Sequence, residues 1–303
     1  MSILITGANG EIGFDLVSKL SKKNKVYAIY RSKKNKSRRI KNKNIKWIKC
    51  DLKKKIKFNS ENAIKYIIHC AVDQKYRGKN KNYYINNNKS IINNIINFAN
   101  KRSINLIINL STIDVYGKIK SNIVHENFKP LKQNSYAYFK YFAENELYKQ
   151  KTNFINLRLP GTLCNYSNKK PLRPWLFKTI FDIYNKNKIV VKNIKCKFNN
   201  VISSKDIVDF FNYIKNKKIV IRDTFNFSAS KPIKLYLMLR LIKKRLNSNS
   251  RIIELKKKNS NSFLISNKKL KIKLNYKTPS TEIIIKNFLD NFNDQISQGN
   301  YKV

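Results

Sequence analysis

The sequence predicts an α/β fold: a doubly wound parallel sheet with a smaller C-terminal substrate-binding region. Three observations predict it. Short apolar segments of strand character alternate with longer segments whose apolar residues recur at helical spacing. Some strand segments, such as Ile104–Leu110, are nearly continuous apolar runs, as expected of parallel strands covered on both faces. Finally, only 7 of 303 residues are glycine, yet Gly7, Gly10 and Gly13 fall at three-residue spacing in Ile-Leu-Ile-Thr-Gly-Ala-Asn-Gly-Glu-Ile-Gly. That run joins a strand to a helix, the context that gives this glycine spacing its meaning.

Taken in order, Ile3–Thr6 is a strand and Ile12–Lys22 a helix. Lys25–Tyr30 is a strand, and the basic run Lys33–Lys43 is a loop or frayed helix. Ile45–Cys50 and Tyr66–His69 are strands. Tyr83–Asn100 is a helix, because Ile91, Ile92, Ile95, Ile96, Phe98 and Ala99 line one face. Ile104–Leu110 is a strand, Tyr136–Gln150 a helix and Phe154–Leu159 a strand. β-α-β alternation implies right-handed crossovers. Beyond Pro160 the alternation loosens. Helices are expected at Trp175–Asn187, Asp206–Lys215, Lys234–Leu246 and Thr281–Phe292, with strands at Ile189–Val191 and Thr224–Ser228. The expected organisation is a nucleotide-binding domain over residues 1–165 and a substrate-binding region over 166–303, with segments near 200–228 returning to the first domain.

Composition narrows the class. An apolar content of 42% suits a globular chain and argues against disorder. No apolar stretch is long enough to span a bilayer, so no membrane partner is expected. Met1-Ser2 leads straight into a strand, so no secretory leader is expected. Cys50, Cys70, Cys164 and Cys196 are scattered and form no Cys-x-x-Cys pair, and only His69 and His125 accompany them. No metal site is expected, and the setting expected is cytoplasmic. The formal net charge of +48 points towards polyanions, but the lysines are spread along the whole chain beside abundant Asn and Ile. That distribution fits an AT-rich coding bias better than a dedicated nucleic-acid surface, so no specific nucleic-acid partner is expected.

The glycine run carries the first functional expectation. Gly7 permits a tight strand-to-helix turn, Gly10 lets backbone approach a pyrophosphate, and Gly13 lets the helix pack on the strand. With Asn9, Glu11 and Ile12 these residues form a candidate cradle for a dinucleotide at a helix N-terminus. This is the fingerprint of a Rossmann domain. Tyr136 and Lys140 are one helical turn apart and so share a face. The same spacing recurs elsewhere, as at Tyr30/Lys34 and Tyr213/Lys217. Tyr136 is singled out by its place after Thr112 and Pro130, at the start of a helix with an apolar face.

Together these motifs resemble the extended short-chain dehydrogenase/reductase family, its NAD-dependent epimerase/dehydratase group, over nearly the whole chain. Asp51-Leu52 resembles the family's adenine contact, and His69-Cys70-Ala71 its His-x-Ala. Asn88 to Asn94 resembles its Asn-bearing helix, and Ser111-Thr112-Ile113-Asp114-Val115-Tyr116-Gly117 its Ser-Ser/Thr-x-x-Val-Tyr-Gly. Tyr136, Lys140 and Ala143-Glu144 match the catalytic helix. Leu157-Arg158-Leu159 resembles the sixth strand, and Leu274-Asn275-Tyr276-Lys277-Thr278-Pro279 the C-terminal Leu-Gly-Tyr-x-Pro. The resemblance implies Tyr136 as general acid/base. Lys140 would lower its pKa and hold the nicotinamide ribose, and Thr112 would hydrogen-bond the reacting oxygen. Asn165 and Arg173 are further candidate substrate contacts. A homodimer through the helix carrying Tyr136 is a further implication.

Cofactor choice is read at the end of the second strand, where an NAD site usually places a carboxylate for the ribose 2′-OH. Here Arg31 and Ser32 stand there, and suit a 2′-phosphate, so the cofactor is NAD or NADP with the balance towards NADP. Several departures bear on substrate. Ile113-Asp114 replaces the Asp-Glu pair of the family's dehydratases, and Gly161 and Asn199 stand where an Asn and an Arg contact the nucleotide in many epimerases. Arg173, Lys192 or Lys197 are available in their place. The expected activity is hydride transfer at a sugar carbon, C4, of a nucleotide sugar, as epimerase or reductase. Two alternatives stay open: an NADPH-dependent reductase of a small non-nucleotide carbonyl, and a non-catalytic cofactor-sensing or polyanion-binding protein.

Overall fold

The computed structural model of the chain describes residues 2–31, 40–58, 60, 63–73, 81–131, 133–164, 174–255 and 262–297. Seven strands form the main sheet: β1 (Ser2–Thr6), β2 (Lys25–Tyr30), β3 (Ile45–Lys49), β4 (Ile64–His69), β5 (Leu106–Thr112), β6 (Phe154–Leu159) and β7 (Arg222–Asn226). Their order is β7-β6-β5-β4-β1-β2-β3. The pairings β1–β2, β2–β3, β1–β4 and β4–β5 are all parallel. The chain builds outward from β1 in one direction through β2 and β3, and in the other through β4 and β5. Strand order therefore reverses between β1 and β4, and a doubly wound sheet binds its ligand beyond the C-terminal ends of the strands at such a point.

The strands form where β-branched and aromatic residues run without interruption. Every residue of β1, β5 and β6 is buried. Register decides which face each side chain joins. Leu4 pairs with Tyr27 on one side and Ile67 on the other, and Ile67 pairs with Ile107. These four form one row beneath α2 (Lys81–Asn100), whose Ile91, Ile92, Ile95, Ile96, Phe98 and Ala99 complete the same core cluster. α3 (Ser135–Tyr148) adds Ala143 and Leu147 to it. Each isoleucine, leucine or phenylalanine among them, removed from water, stabilises the fold by about 1.5–3 kcal/mol. α1 (Glu11–Leu20) buries Phe14, Leu16, Val17 and Leu20. α4 (Ser204–Asn216) buries Ile207, Phe210, Phe211 and Ile214, and Phe211 meets Tyr66 of β4 edge-on at 5.4 Å. Helices thus cover the sheet, which is why its strands need no polar face.

The chain divides into two compact units. The first, which holds the sheet, comprises Met1–Lys118, Lys129–Arg158 and Ile207–Phe225. The second comprises Ile119–Phe128, Leu159–Asp206 and Asn226–Val303. Within the second, short ladders pair Gly161–Leu163 with Val201–Ser203 and Ile189–Lys192 with Ile252–Leu255, both parallel. Its helices Pro174–Tyr184 and Thr281–Asp290 carry Phe177, Phe181 and Phe288. Phe292 joins them, and neighbouring ring centroids lie 5.1–5.8 Å apart. Scarce glycine is replaced by asparagine at left-handed corners: Asn193, Asn247 and Asn275 adopt φ of 51°, 46° and 48°. Asn275 closes the helix Lys268–Leu274, in the position of the glycine in Leu-Gly-Tyr.

Candidate active site

The turn after β1 is set by steric necessity. Gly7 adopts φ +65°, and a Cβ there would lie 2.9 Å from both the Cα and the N of Ala71. A Cβ on Gly13 would stand 2.2 Å from the Gly7 carbonyl oxygen. Only hydrogens fit at either place, so α1 rests directly on the turn and the turn on the end of β4. Gly10, extended at φ −75° and ψ 167°, is the N-cap of α1 and brings no side chain to its first N–H groups. Ala8 N–H donates to the Ile29 carbonyl at 2.9 Å, which fastens the turn to β2. The turn thus presents bare backbone and a helix N-terminus to an anion, which fits a pyrophosphate. Asn9 lies half-buried in this turn, and Glu11 and Ile12 begin the helix.

Thr6 joins β1 to β4 at the reversal point. Its hydroxyl oxygen accepts from the Cys70 and Ala71 N–H groups, at 3.2 and 3.3 Å. It also lies 2.8 Å from His69 Nδ1. With its lone pairs engaged by two donors, the hydroxyl donates to Nδ1, which assigns the ring proton to Nε2. Burial first, and the Lys140 charge second, push His69 down to about 3, so the ring is neutral.

α3 opens at Asn134, whose side chain accepts from the Ala137 N–H at 2.9 Å. This places Tyr136 in the first turn, half-buried and edge-on to Phe139 at 5.6 Å. Lys140, one turn on, is buried, and its ammonium donates to the Leu110 carbonyl of β5 at 2.7 Å. Burial pulls its pKa down to about 8, against the pull of Cys70 and Glu144. Burial also pushes the Cys70 thiol up to about 12, with Lys140 opposing, so this cysteine is a thiol. Lys140 thus stands electrostatically beside the ends of both β4 and β5. Thr112, the last residue of β5, is buried, and its Oγ accepts from the Asp114 N–H at 3.2 Å as it caps the 3-10 turn Ile113–Tyr116.

Behind Lys140 lies a buried ion pair. Arg158 of β6 grips Glu144 of α3 through Nη2–Oε2 at 2.7 Å and Nε–Oε1 at 3.1 Å, and its guanidinium stacks 4.8 Å from the Tyr116 ring. Ser111, next to Thr112, donates to Glu144 Oε1 at 2.5 Å. These bonds fix the register of α3 against β5 and β6. Glu144→Gln leaves the buried guanidinium unpaired and is expected to destabilise the protein by about 3–5 kcal/mol, read as a lower urea midpoint.

Of the two residues expected at the adenine, Asp51 accepts from the Lys53 N–H at 3.1 Å, and Leu52 is buried in the core with its carbonyl bonded by Asn94 at 3.0 Å. Arg31, at the end of β2, donates through Nη1 to Asp73 Oδ1 at 3.0 Å. Ser32, Asn165 and Arg173 lie outside the described residues. The structure therefore brings together the glycine turn, Cys70, Ala71, Lys140 and the end of β5 within the first unit. In the second unit, Asn199 is wholly occupied with backbone: it donates to the Ala229 and Ile265 carbonyls and accepts from the Ile265 N–H. Lys192 and Lys197 are exposed there. Sequence reasoning missed Thr6 and Asp73. The signal for Asp73 is its rarity, since the chain has 17 acidic residues against 65 basic ones.

A reversed seven-strand parallel sheet with a glycine turn at its reversal point and a Tyr-x-x-x-Lys helix beside it defines a Rossmann-type α/β protein. The description of the NAD-dependent epimerase/dehydratase family matches residues 3–214, and the chain belongs to that family. Among solved structures it is similar to a UDP-N-acetylglucosamine 4-epimerase from Methanobrevibacter ruminantium M1 in complex with UDP-N-acetylmuramic acid, at 20% identity over 97% of this chain and 98% of that one, with a TM-score of 0.78. It is also similar to the Bordetella bronchiseptica enzyme WbmG in complex with NAD and UDP, at 13% identity over 96% and 94%, with a TM-score of 0.77. A UDP-glucose 4-epimerase aligns at 16% identity over 100% of both chains, with a TM-score of 0.78. At these identities the likeness establishes the fold. No curated protein matches the chain.

Proposed function

We propose that this chain is an NAD-dependent 4-epimerase of nucleotide-linked sugars. The observation that carries the reading is Lys140: a buried ammonium, one turn beyond Tyr136, fastened to the carbonyl two residues before Thr112. A phenol has a pKa near ~10 and is a weak base at neutral pH. An ammonium fixed on the same helix face favours the phenolate, so Tyr136 takes the proton of the sugar hydroxyl and later returns it. Lys140 also holds the nicotinamide ribose, and Thr112 orients the reacting oxygen. NAD, when bound, supplies the hydride acceptor. Gly7, Gly10 and Gly13 hold its pyrophosphate, and Asp51 and Leu52 border its adenine.

Several features support epimerisation over elimination. Ile113-Asp114 stands where elimination in the family's dehydratases uses an Asp-Glu pair, and the isoleucine can supply no carboxyl. Two of the similar structures are UDP-sugar 4-epimerases, and a third was solved with NAD and UDP. The family is described as NAD-dependent, which supports NAD here.

The test is incubation with NAD and UDP-glucose or UDP-N-acetylglucosamine, followed by proton NMR of the anomeric signals. The expected result is the C4 epimer with no net rise in reduced-nicotinamide absorbance. Failure of either sugar nucleotide to epimerise, with net consumption of NADPH on a 4-keto sugar nucleotide, would replace this reading by a reductase.

A further inference from the structure

We propose that Asp73, acting through Arg31, sets the dinucleotide preference of this chain and selects NAD against its 2′-phosphorylated form. The inference rests on the reading of the chain as an NAD-binding protein, and adds a specificity-determining residue to it.

The residue ending the second strand of a Rossmann sheet meets the adenosine ribose: a carboxylate there takes the 2′-OH, an arginine a 2′-phosphate. By that rule alone Arg31 predicts NADP. Its guanidinium, however, donates to Asp73 Oδ1 at 3.0 Å. The two side chains are 35% and 3% exposed, so the arginine faces outward while the carboxylate that holds it is buried. Asp73 arrives from the far side of β1, four residues after the end of β4, and supplies the negative charge that the end of β2 lacks.

Asp73 is also held in place from below. Its second oxygen accepts from Asn87 Nδ2 at 2.8 Å. Asn88 clamps its backbone on both sides: the side-chain oxygen accepts from the Asp73 N–H at 2.8 Å, and Nδ2 donates to the Asp73 carbonyl at 2.9 Å and to the Tyr84 carbonyl at 2.7 Å. A buried carboxylate fixed by an α2 side chain at each end cannot swing away when an anion arrives. A 2′-phosphate brought to Arg31 meets a guanidinium already paired, with a carboxylate beside it. A neutral 2′-OH meets no such repulsion and takes one of the remaining N–H donors.

The experiment is a calorimetric titration of NAD+ and NADP+ into the full chain and three variants, with the ratio of the two dissociation constants as readout. Wild type is expected to prefer NAD+. Asp73→Asn frees the guanidinium and is expected to shift the ratio about tenfold towards NADP+, the worth of one hydrogen bond to a charged group. Arg31→Met leaves the carboxylate unopposed and is expected to shift it about tenfold the other way. The double variant returns the ratio close to wild type. Because Arg31 is part-exposed, its variant tests the inference even where Asp73→Asn fails to fold. A pair with only a structural role would weaken both dinucleotides alike. An unmoved ratio in a chain that takes up NAD+ overturns the inference alone, whereas a wild-type chain that takes up neither dinucleotide overturns the NAD reading and the inference with it.

Discussion

Tyr136→Phe is expected to lower turnover roughly 10²–10⁴-fold while leaving the fold and dinucleotide affinity close to wild type, because the lost hydroxyl is the group proposed to move the proton. The ring's edge-on packing against Phe139 survives the change. Lys140→Met is expected to reduce turnover to a similar depth and also to weaken dinucleotide binding, since two tasks are proposed for the ammonium. The pH profile separates this account from a general loss of activity. Lys140 is held at about 8 by burial, so its charge is present below that pH and lost as pH rises through it. The wild-type kcat/KM should fall on that alkaline side, and Lys140→Arg should carry the limb to higher pH. The same shift acts oppositely on stability. A lysine whose folded pKa lies below its ordinary 10.5 binds fewer protons when folded, so this group's cost to the fold is present below pH 8 and relieved as pH climbs towards 10.5. Unfolding driven by Lys140 therefore does not account for the alkaline limb. An alkaline limb identical in the Lys140→Arg variant would remove Lys140 from the proposed chemistry.

Gly13→Ala is expected to disable the first crossover. The new Cβ would stand 2.2 Å from the Gly7 oxygen, 2.9 Å from its carbonyl carbon and 3.1 Å from the Ala8 Cα. All three are backbone atoms and cannot rotate out of the way. Helix and turn must separate, and overpacking of this kind typically costs about 1–3 kcal/mol in stability. The larger effect falls on binding. A displacement of even ~1 Å in a positioning element can cost ~10²-fold in rate, so turnover should fall by about that factor as NAD binding weakens. Denaturant unfolding and NAD titration of the same variant check the two parts. Wild-type NAD affinity in Gly13→Ala would show that the turn does not carry the dinucleotide.

The parallel sheet and its glycine turn were legible because both are local signals. Uninterrupted apolar runs reveal strands buried on both faces, and three aligned glycines stand out in a chain with so few. The Tyr-x-x-x-Lys helix was legible by position, and α3 begins within one residue of the expectation. Edges were less legible. The last strand of the sheet runs Arg222–Asn226 rather than Thr224–Ser228. Arg222 and Asp223 look like loop residues, yet the ladder begins before them, where the Phe154 N–H bonds the Ile221 carbonyl. Ala229, still apolar, has already left the sheet to bond the Val201 carbonyl. The helix Lys268–Leu274 was hidden by lysines, although Leu270 and Leu274 bury one turn apart. Least legible were the pairings between distant residues. Thr6 with Cys70, Arg31 with Asp73, and Glu144 with Arg158 depend on which strand ends become neighbours. Strand order decides that, and no local pattern encodes it. Arg31 illustrates the limit: the arginine was visible in sequence, and the carboxylate that pairs with it was not.

The most direct test of the central claim is a calorimetric titration of the purified chain with NAD+, run beside Gly13→Ala. The account predicts saturable uptake at a single site in the wild type and its loss or marked weakening in the variant. Absence of NAD+ uptake by a folded wild-type chain would contradict it.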